Sequence, residues 1–178
     1  IAGHERPLPA RLVSRGPPRG APSVEGMTTP DPQLHSTRLT AVRDRAGALG
    51  IDHVVVYSGE DMSYLTGERM DSHERLTALV VPVAGGEPLL VLPALELTNV
   101  TRRAAERVGA EIHPWSDGTD PVPLVAGEVA GRGAVSSALP ALHLVPLRDG
   151  VDGEVVLASE VIDHVRAVKT PDEVEQLA

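Results

Sequence analysis

Cysteine is absent from the 178 residues, and Tyr57, Tyr64 and Trp115 are the only aromatics. Without cysteine there is no disulfide framework, no Cys-ligated zinc or iron–sulfur centre and no thiol nucleophile. Three aromatics cannot build a platform for stacking bases. Lysine and arginine total 16 against 25 aspartates and glutamates, and the net charge of −9 disfavours non-specific contact with nucleic acid or anionic membrane. No apolar run approaches the ~20 residues of a membrane-spanning helix. What is present, 42% hydrophobic residues, is enough for the core of one ordinary domain. A soluble, cytoplasmic α/β domain is expected, binding neither nucleic acid nor membrane.

Residues 1–32 hold seven prolines and four glycines and show no apolar periodicity. Residues 1–26 carry a local +2, which leaves −11 on the remainder. Such a tract cannot bury enough apolar surface to offset the entropy of ordering it, so residues 1–35 are expected to be a disordered extension. It lacks the apolar central stretch of a secretory signal. The chain opens on Ile1, and Met27, just before the ordered pattern, is the expected natural start.

The domain proper is expected over residues 36–168. Ser36 has the character of an N-cap, and Leu39, Val42, Ala46 and Leu49 recur at helical spacing up to Gly50. Ile51–Tyr57 is a β-branched run of strand length, followed by a turn at Ser58–Asp61. Leu76–Val83 and Leu89–Leu92, separated by Gly85-Gly86-Glu87-Pro88, form a hairpin. Helical spacing returns over Leu95–Val108 and stops at Gly109. Glu111–Trp115 is a strand, residues 116–121 a loop, and Val122–Ala130 a short helix. Ala134–Ser136 is a strand and Ala138–Leu144 a helix. Glu154–Leu157 is the last strand, and the helix after Ser159 shows Val161, Ile162, Val165 and Val168 on one face. Alternating helices and strands imply a sheet covered on both sides, and the hairpin makes that sheet mixed.

Residues 169–178 begin another element. Thr170-Pro171-Asp172-Glu173 has the form of a capping box, with Val174 and Leu177 starting an apolar face. A helix so marked normally runs for ten or more residues. It is expected to continue as a linker into a second domain, whose removal exposes an apolar face and favours self-association.

No catalytic apparatus emerges from the residues themselves. None of the seven histidines pairs with another histidine or a carboxylate at metal-site spacing. His53 and His113 lie within expected strands, as half-buried structural histidines. There is no phosphate loop, no dinucleotide fingerprint and no Gly-x-Ser-x-Gly elbow. Asp61, Asp71, Asp117 and Asp120 fall in turns, where aspartate serves the backbone.

The order of motifs is more informative. Leu49-Gly50-Ile51-Asp52 leads into a strand, then come Tyr64-Leu65-Thr66-Gly67, Glu74-Arg75 and Val91-Leu92-Pro93-Ala94-Leu95-Glu96. Ala158-Ser159 and Val165-Arg166-Ala167-Val168-Lys169-Thr170-Pro171-Asp172-Glu173-Val174 close the series. In this order the chain, over residues 37–178, resembles the N-terminal domain of the creatinase/prolidase/aminopeptidase P metallopeptidases. The Arg-x-Val-Lys-x-x-x-Glu segment is similar to that family's linker into its catalytic domain.

The resemblance implies a three-layer α/β/α sandwich with a mixed, mostly parallel sheet of five or six strands. It also implies that catalysis belongs to a following domain, where two divalent metals (Mn, Co or Zn) activate a bridging water. Residues 37–178 match none of those ligand motifs, so the chain alone is expected to bind no catalytic metal and to be inactive. By the same resemblance, the domain supports homodimerisation and narrows access for short Xaa-Pro peptides. The loop after Gly67 is the expected contributor, with Tyr64, Arg69 and Arg75 as candidate substrate-access residues facing a substrate carboxylate or a partner domain. Two alternatives stand beside this reading. One is a non-enzymatic peptide- or protein-binding module of the same fold, and the other is the N-terminal part of a creatinase-like amidinohydrolase.

Overall fold

A computed structural model of the chain describes residues 33–70, 74–169 and Val174. Residues 1–32 of the extension expected over residues 1–35, and the capping box at Thr170–Glu173, lie outside the described residues; Leu34 and His35, also expected in that extension, belong to the first helix. The first helix, α1, spans Leu34–Ala48 and β1 spans His53–Tyr57; then come α2 (Glu60–Thr66), β2 (Ala78–Pro82) and β3 (Leu89–Pro93). After a 3-10 turn at Ala94–Glu96 follow α3 (Asn99–Val108), β4 (Glu111–Trp115), α4 (Val122–Ala126), β5 (Gly133–Val135), α5 (Ala141–Gly150), β6 (Val155–Leu157) and α6 (Ser159–Ala167).

The six strands form one sheet in the order β4-β3-β2-β1-β5-β6. Only β2 runs against its neighbours, pairing antiparallel with both β1 and β3; the other pairings are parallel. The architecture is thus the expected mixed, mostly parallel sheet between helical layers. Strand alternation splits the core. Val54 and Val56 of β1, Leu79 and Val81 of β2, and Leu90 and Leu92 of β3 face α1, α2, α3 and α6. Val55, Tyr57, Val80 and Val91 face α4 and α5 on the other side. Each fully buried valine or leucine here contributes roughly 1.5–3 kcal/mol.

Most elements stand where the sequence puts them; the differences lie in α2, a helix over Glu60–Thr66 where the sequence predicts only a turn at Ser58–Asp61, in α4, which ends at Ala126 and not Ala130, and in three others. Helix α1 starts at Leu34, two residues before Ser36, with Gln33 at the N-cap position and no side-chain cap. Ser36 instead donates its hydroxyl to the Gln33 carbonyl at 2.8 Å. This earlier start buries His35, whose Nδ1–H donates to the Leu65 carbonyl at 3.0 Å. The stretch Leu95–Val108 is divided: Thr98 caps α3 through a reciprocal box with Thr101, ending the 3-10 turn before it. The helix expected at Ala138–Leu144 begins only at Ala141, because Pro140 fits just ahead of the first helical residue. It then continues past Pro146 to Gly150. Gly50 and Gly109 adopt φ of +65° and +63°, the left-handed stops expected of them.

Candidate functional site

Because five of the six strands are parallel, their carboxyl ends gather on one edge of the sheet. Open α/β sheets hold ligands outside that edge, among the loops that leave it. The Ser58-Gly59 turn, the segment entering β2, the loop after β4 and the loop after β5 all meet there. Tyr64, Arg69 and Arg75 sit around this end of the molecule, in different surroundings.

Tyr64 lies on the outer side of α2. The Arg38 guanidinium stacks 4.0 Å above its ring centroid and Arg166 stands 5.9 Å away. Arg38 also donates Nη1–H to the Tyr64 carbonyl at 2.6 Å. The ring borders a groove of about 480 Å³ between α1 and α6, walled by Leu34, Ala41, Val165 and Val168.

Arg75, half-buried, occupies the opposite side of the sheet edge. Its Nε and Nη2 donate to Asp117 Oδ1 and Oδ2 at 3.1 and 3.0 Å, a two-pronged pair. That hydrogen bonding, and then the Asp117 charge, push the guanidinium pKa above its ordinary value. Arg75 shares a cleft of about 280 Å³ with Leu76, Trp115, Val122 and His143. The cleft is rigidly framed. Trp115 Nε1–H donates to the Leu76 carbonyl at 2.9 Å, and buried His143 is held below the ordinary imidazole pKa by desolvation.

Arg69 is exposed between Glu68 and Met70. Glu68 takes Arg103 of α3 at 2.9 Å and Arg107 at 3.2 Å. The Arg103 hydrogen bond holds the Glu68 carboxyl below the usual carboxylate range. Tyr64 therefore faces the α1–α6 groove while Arg75 faces the cleft beside α4 and α5; the structure does not bring the two to one cavity. His73 and Asp71 lie outside the described residues.

The aspartates expected in turns divide by partner. Asp120 accepts from the Val122 backbone at 3.0 Å, the turn role. Asp61 and Asp117 instead hold Arg166 and Arg75, partners too distant in sequence for spacing to reveal. His53 and His113 are half-buried strand residues, bonded to the Ala130 carbonyl and to Glu111. Among the described residues no three His, Asp or Glu side chains converge to hold a metal ion. No described helix is long and apolar enough to cross a membrane.

Residues 38–168 match the family model described as the creatinase/prolidase N-terminal domain. The chain belongs to that family. This creatinase/prolidase-type domain is 38% identical over 150 residues to the probable dipeptidase PepE of Mycobacterium bovis, an alignment covering 83% of this chain and 40% of that protein. The crystal structure of dipeptidase PepE from Mycobacterium ulcerans superposes with a TM-score of 0.74 at 41% identity, covering 82% of this chain and 40% of that one. The creatinase/prolidase N-terminal domain of a Streptococcus pyogenes X-Pro dipeptidase shares the fold at 20% identity, with a TM-score of 0.61; it covers 74% of this chain and 98% of that chain. The chain spans about 40% of the length of the mycobacterial relatives it matches.

Proposed function

We propose that this chain is the non-catalytic N-terminal domain of an Xaa-Pro dipeptidase- or aminopeptidase-like metallopeptidase, supporting dimerisation and narrowing access to an active site carried elsewhere. The observation behind this reading is the family match over residues 38–168 with PepE-type relatives at 38% and 41% identity, in which the aligned part is 40% of the whole. Among the described residues no three His, Asp or Glu side chains converge, and in this reading the two divalent ions of such enzymes belong to another domain. No step on this chain runs through them.

What this chain contributes is charge and shape at the sheet edge. Arg75 suits a peptide carboxylate, since Asp117 already shows that a carboxylate fits its two-pronged donor face. An incoming substrate carboxylate exchanges with Asp117, beside the rigid Trp115. Tyr64, stacked under Arg38 at the α1–α6 groove, suits packing against a neighbouring domain. Arg69, exposed on the loop after Gly67, adds positive charge to that loop.

The test is a peptidase assay with manganese and a dipeptide carrying proline second. The 178-residue chain is expected to show no turnover, and the protein encoded by the locus read past Ala178 to hydrolyse the peptide. Turnover by the chain itself overturns the reading. Saturable peptide binding at the Arg75 cleft by the chain alone, without metal, favours the peptide-binding module instead.

A further inference from the structure

The two edges of the sheet are unlike. At one edge stands β4, whose Glu111 N–H donates to the Pro88 carbonyl at 2.8 Å. Backbone groups alternate along a strand, so Glu111, His113 and Trp115 turn theirs toward β3 while Ile112 and Pro114 point outward. Pro114 has no N–H to offer. An outward proline, on a strand that also carries Glu111 and His113, blunts this edge against further pairing.

At the other edge β6 has none of these guards. It consists of Val155, Val156 and Leu157, and β5 is its one strand partner among the described residues. The Glu154 carbonyl accepts from Gly133 N–H at 2.8 Å, and Ala158 N–H donates to the Val135 carbonyl at 2.7 Å. By the same alternation Val155 and Leu157 turn N–H and C=O away from β5, where no described residue bonds them. A cavity of about 600 Å³ runs along this edge and reaches both faces of the sheet. Ile51 and Val156 line it on the α1–α6 side, Leu144 and Val155 on the α5 side. Leu157 and Val145, on the same lining, are 56% and 50% exposed.

A second copy of this chain complements that edge. Two β6 strands running antiparallel across a two-fold axis at Val156 set Val155 opposite the partner's Leu157, and the two residues exchange both backbone bonds. Val156 then meets the partner's Val156 in the closer, non-hydrogen-bonded pair. Every pair across the strands is apolar. Glu154 falls opposite the partner's Ala158 and not against a like charge, and Arg132 of its own chain already neutralises it at 2.9 Å. Leu144 and Val145 of α5 flank the same seam. The pairing also ends at two copies, since each β6 has one free side and Pro114 guards the far edge of each sheet.

We propose that this chain self-associates as a two-fold dimer through antiparallel β6–β6 pairing, which joins two six-stranded sheets into one. The proposal rests on the dimerisation in the reading above and gives it a place; it takes nothing from the Arg75 cleft or from peptide access. The peptidase assay tests that reading separately. A dimer held by another surface leaves the reading standing and overturns the β6 pairing.

The chain has no cysteine, so Val156→Cys introduces a single thiol. Across the axis the two copies of position 156 stand about 4.5 Å apart at Cα, within disulfide reach. The 178-residue chain is expected to sediment as a dimer in analytical ultracentrifugation, and the Val156→Cys variant to give a disulfide-linked dimer on mild oxidation. Glu87→Cys, exposed in the hairpin turn, is expected to give none. Leu157→Lys is expected to weaken association about tenfold or more, since a lysine on an edge strand opposes pairing. Its side chain is more than half exposed, so that variant keeps the fold even if the cysteine variant does not. Leu95→Lys, at the exposed 3-10 turn, is expected to leave association unchanged. The proposal is overturned by a chain that stays monomeric at about 100 μM, by no disulfide in Val156→Cys or as much in Glu87→Cys, or by association unchanged in Leu157→Lys. A monomer whose Val155 and Leu157 amide signals shift with an added synthetic peptide of residues 153–159 assigns the edge to extended peptides and overturns it as well.

Discussion

Arg166 Nη1 donates to Asp61 Oδ1 at 2.8 Å, joining residues 105 positions apart. Asp61 stands in the first turn of α2 and Arg166 near the end of α6, so the contact ties the last helix to the one that follows β1. Within the Arg-x-Val-Lys stretch, the arginine therefore has a tertiary role inside this domain. The aspartate side chain is 18% exposed and the arginine 36%, so water screens the pair only in part. Arg166→Ala or Asp61→Asn is expected to lower stability by about 1 kcal/mol in urea denaturation. The double variant should lose little more than the worse single one, since both remove the same contact. Additive losses would show that each side chain acts through other partners.

Gly67 carries a heavier constraint. It caps α2 with φ of +68°, a conformation that costs an L-residue about 1–2 kcal/mol. A Cβ there would also stand 2.5 Å from His35 Cε1 and 2.6 Å from Arg107 Nη1. Neither neighbour retreats freely, because His35 is bonded to the Leu65 carbonyl and Arg107 Nη1 to the Thr66 carbonyl at 3.0 Å. Gly67→Ala is expected to cost at least about 2 kcal/mol. A melting temperature within a degree or so of the parent chain would contradict this.

The same two regions show what a sequence discloses and what it withholds. Strands such as Val54–Val56 and Leu89–Leu92 are legible because short β-branched or apolar runs between turn residues have few other uses. Helix α2 is harder to read, since its seven residues bury only Met62, Leu65 and Thr66, too few turns to establish a period. Helix α5 hides behind Pro146, which ordinarily marks a break. At the candidate site, Arg75 was reachable through its motif, but its partner Asp117 lies 42 positions away and only tertiary packing brings it near. The Tyr57 and Ser58 hydroxyls carry no sequence signal at all. That neither has a hydrogen-bond partner among the described residues is a property of the folded neighbourhood alone.

Arg75 and Asp117 should behave differently from the Arg166 pair. Their side chains are 40% and 58% exposed, and ion pairs in that setting contribute little to folding. Arg75→Ala is expected to leave the stability of the chain nearly unchanged in urea denaturation. In the longer peptidase proposed above, the same change should raise KM for Xaa-Pro dipeptides while kcat holds. That is the pattern of lost ground-state binding. A fall in kcat at unchanged KM would place the arginine in the chemical step instead.

Acid sensitivity follows from two buried imidazoles. Desolvation holds His35 and His143 below the ordinary value of 6.5; for His35 the charges of Arg107 and Arg38 add to the effect. As pH falls through 6.5, the unfolded chain takes up protons at both positions while the folded chain does not. Stability must then fall with pH, since it rises with pH wherever the unfolded state binds more protons. The contribution is complete above 6.5 and is lost between that value and the lowered folded pKa. Glu68 acts in a separate window, because its carboxyl is depressed from 4.5 and its contribution fades only below that. Thermal melts from about pH 8 down to about pH 5 should therefore show a Tm that the histidines leave level above 6.5 and lower progressively below it. His35→Asn, which keeps a donor near the position of Nδ1 for the Leu65 carbonyl, should flatten part of that slope, and a second change at His143 most of the rest. An undiminished slope in the double variant would move the acid sensitivity to other groups.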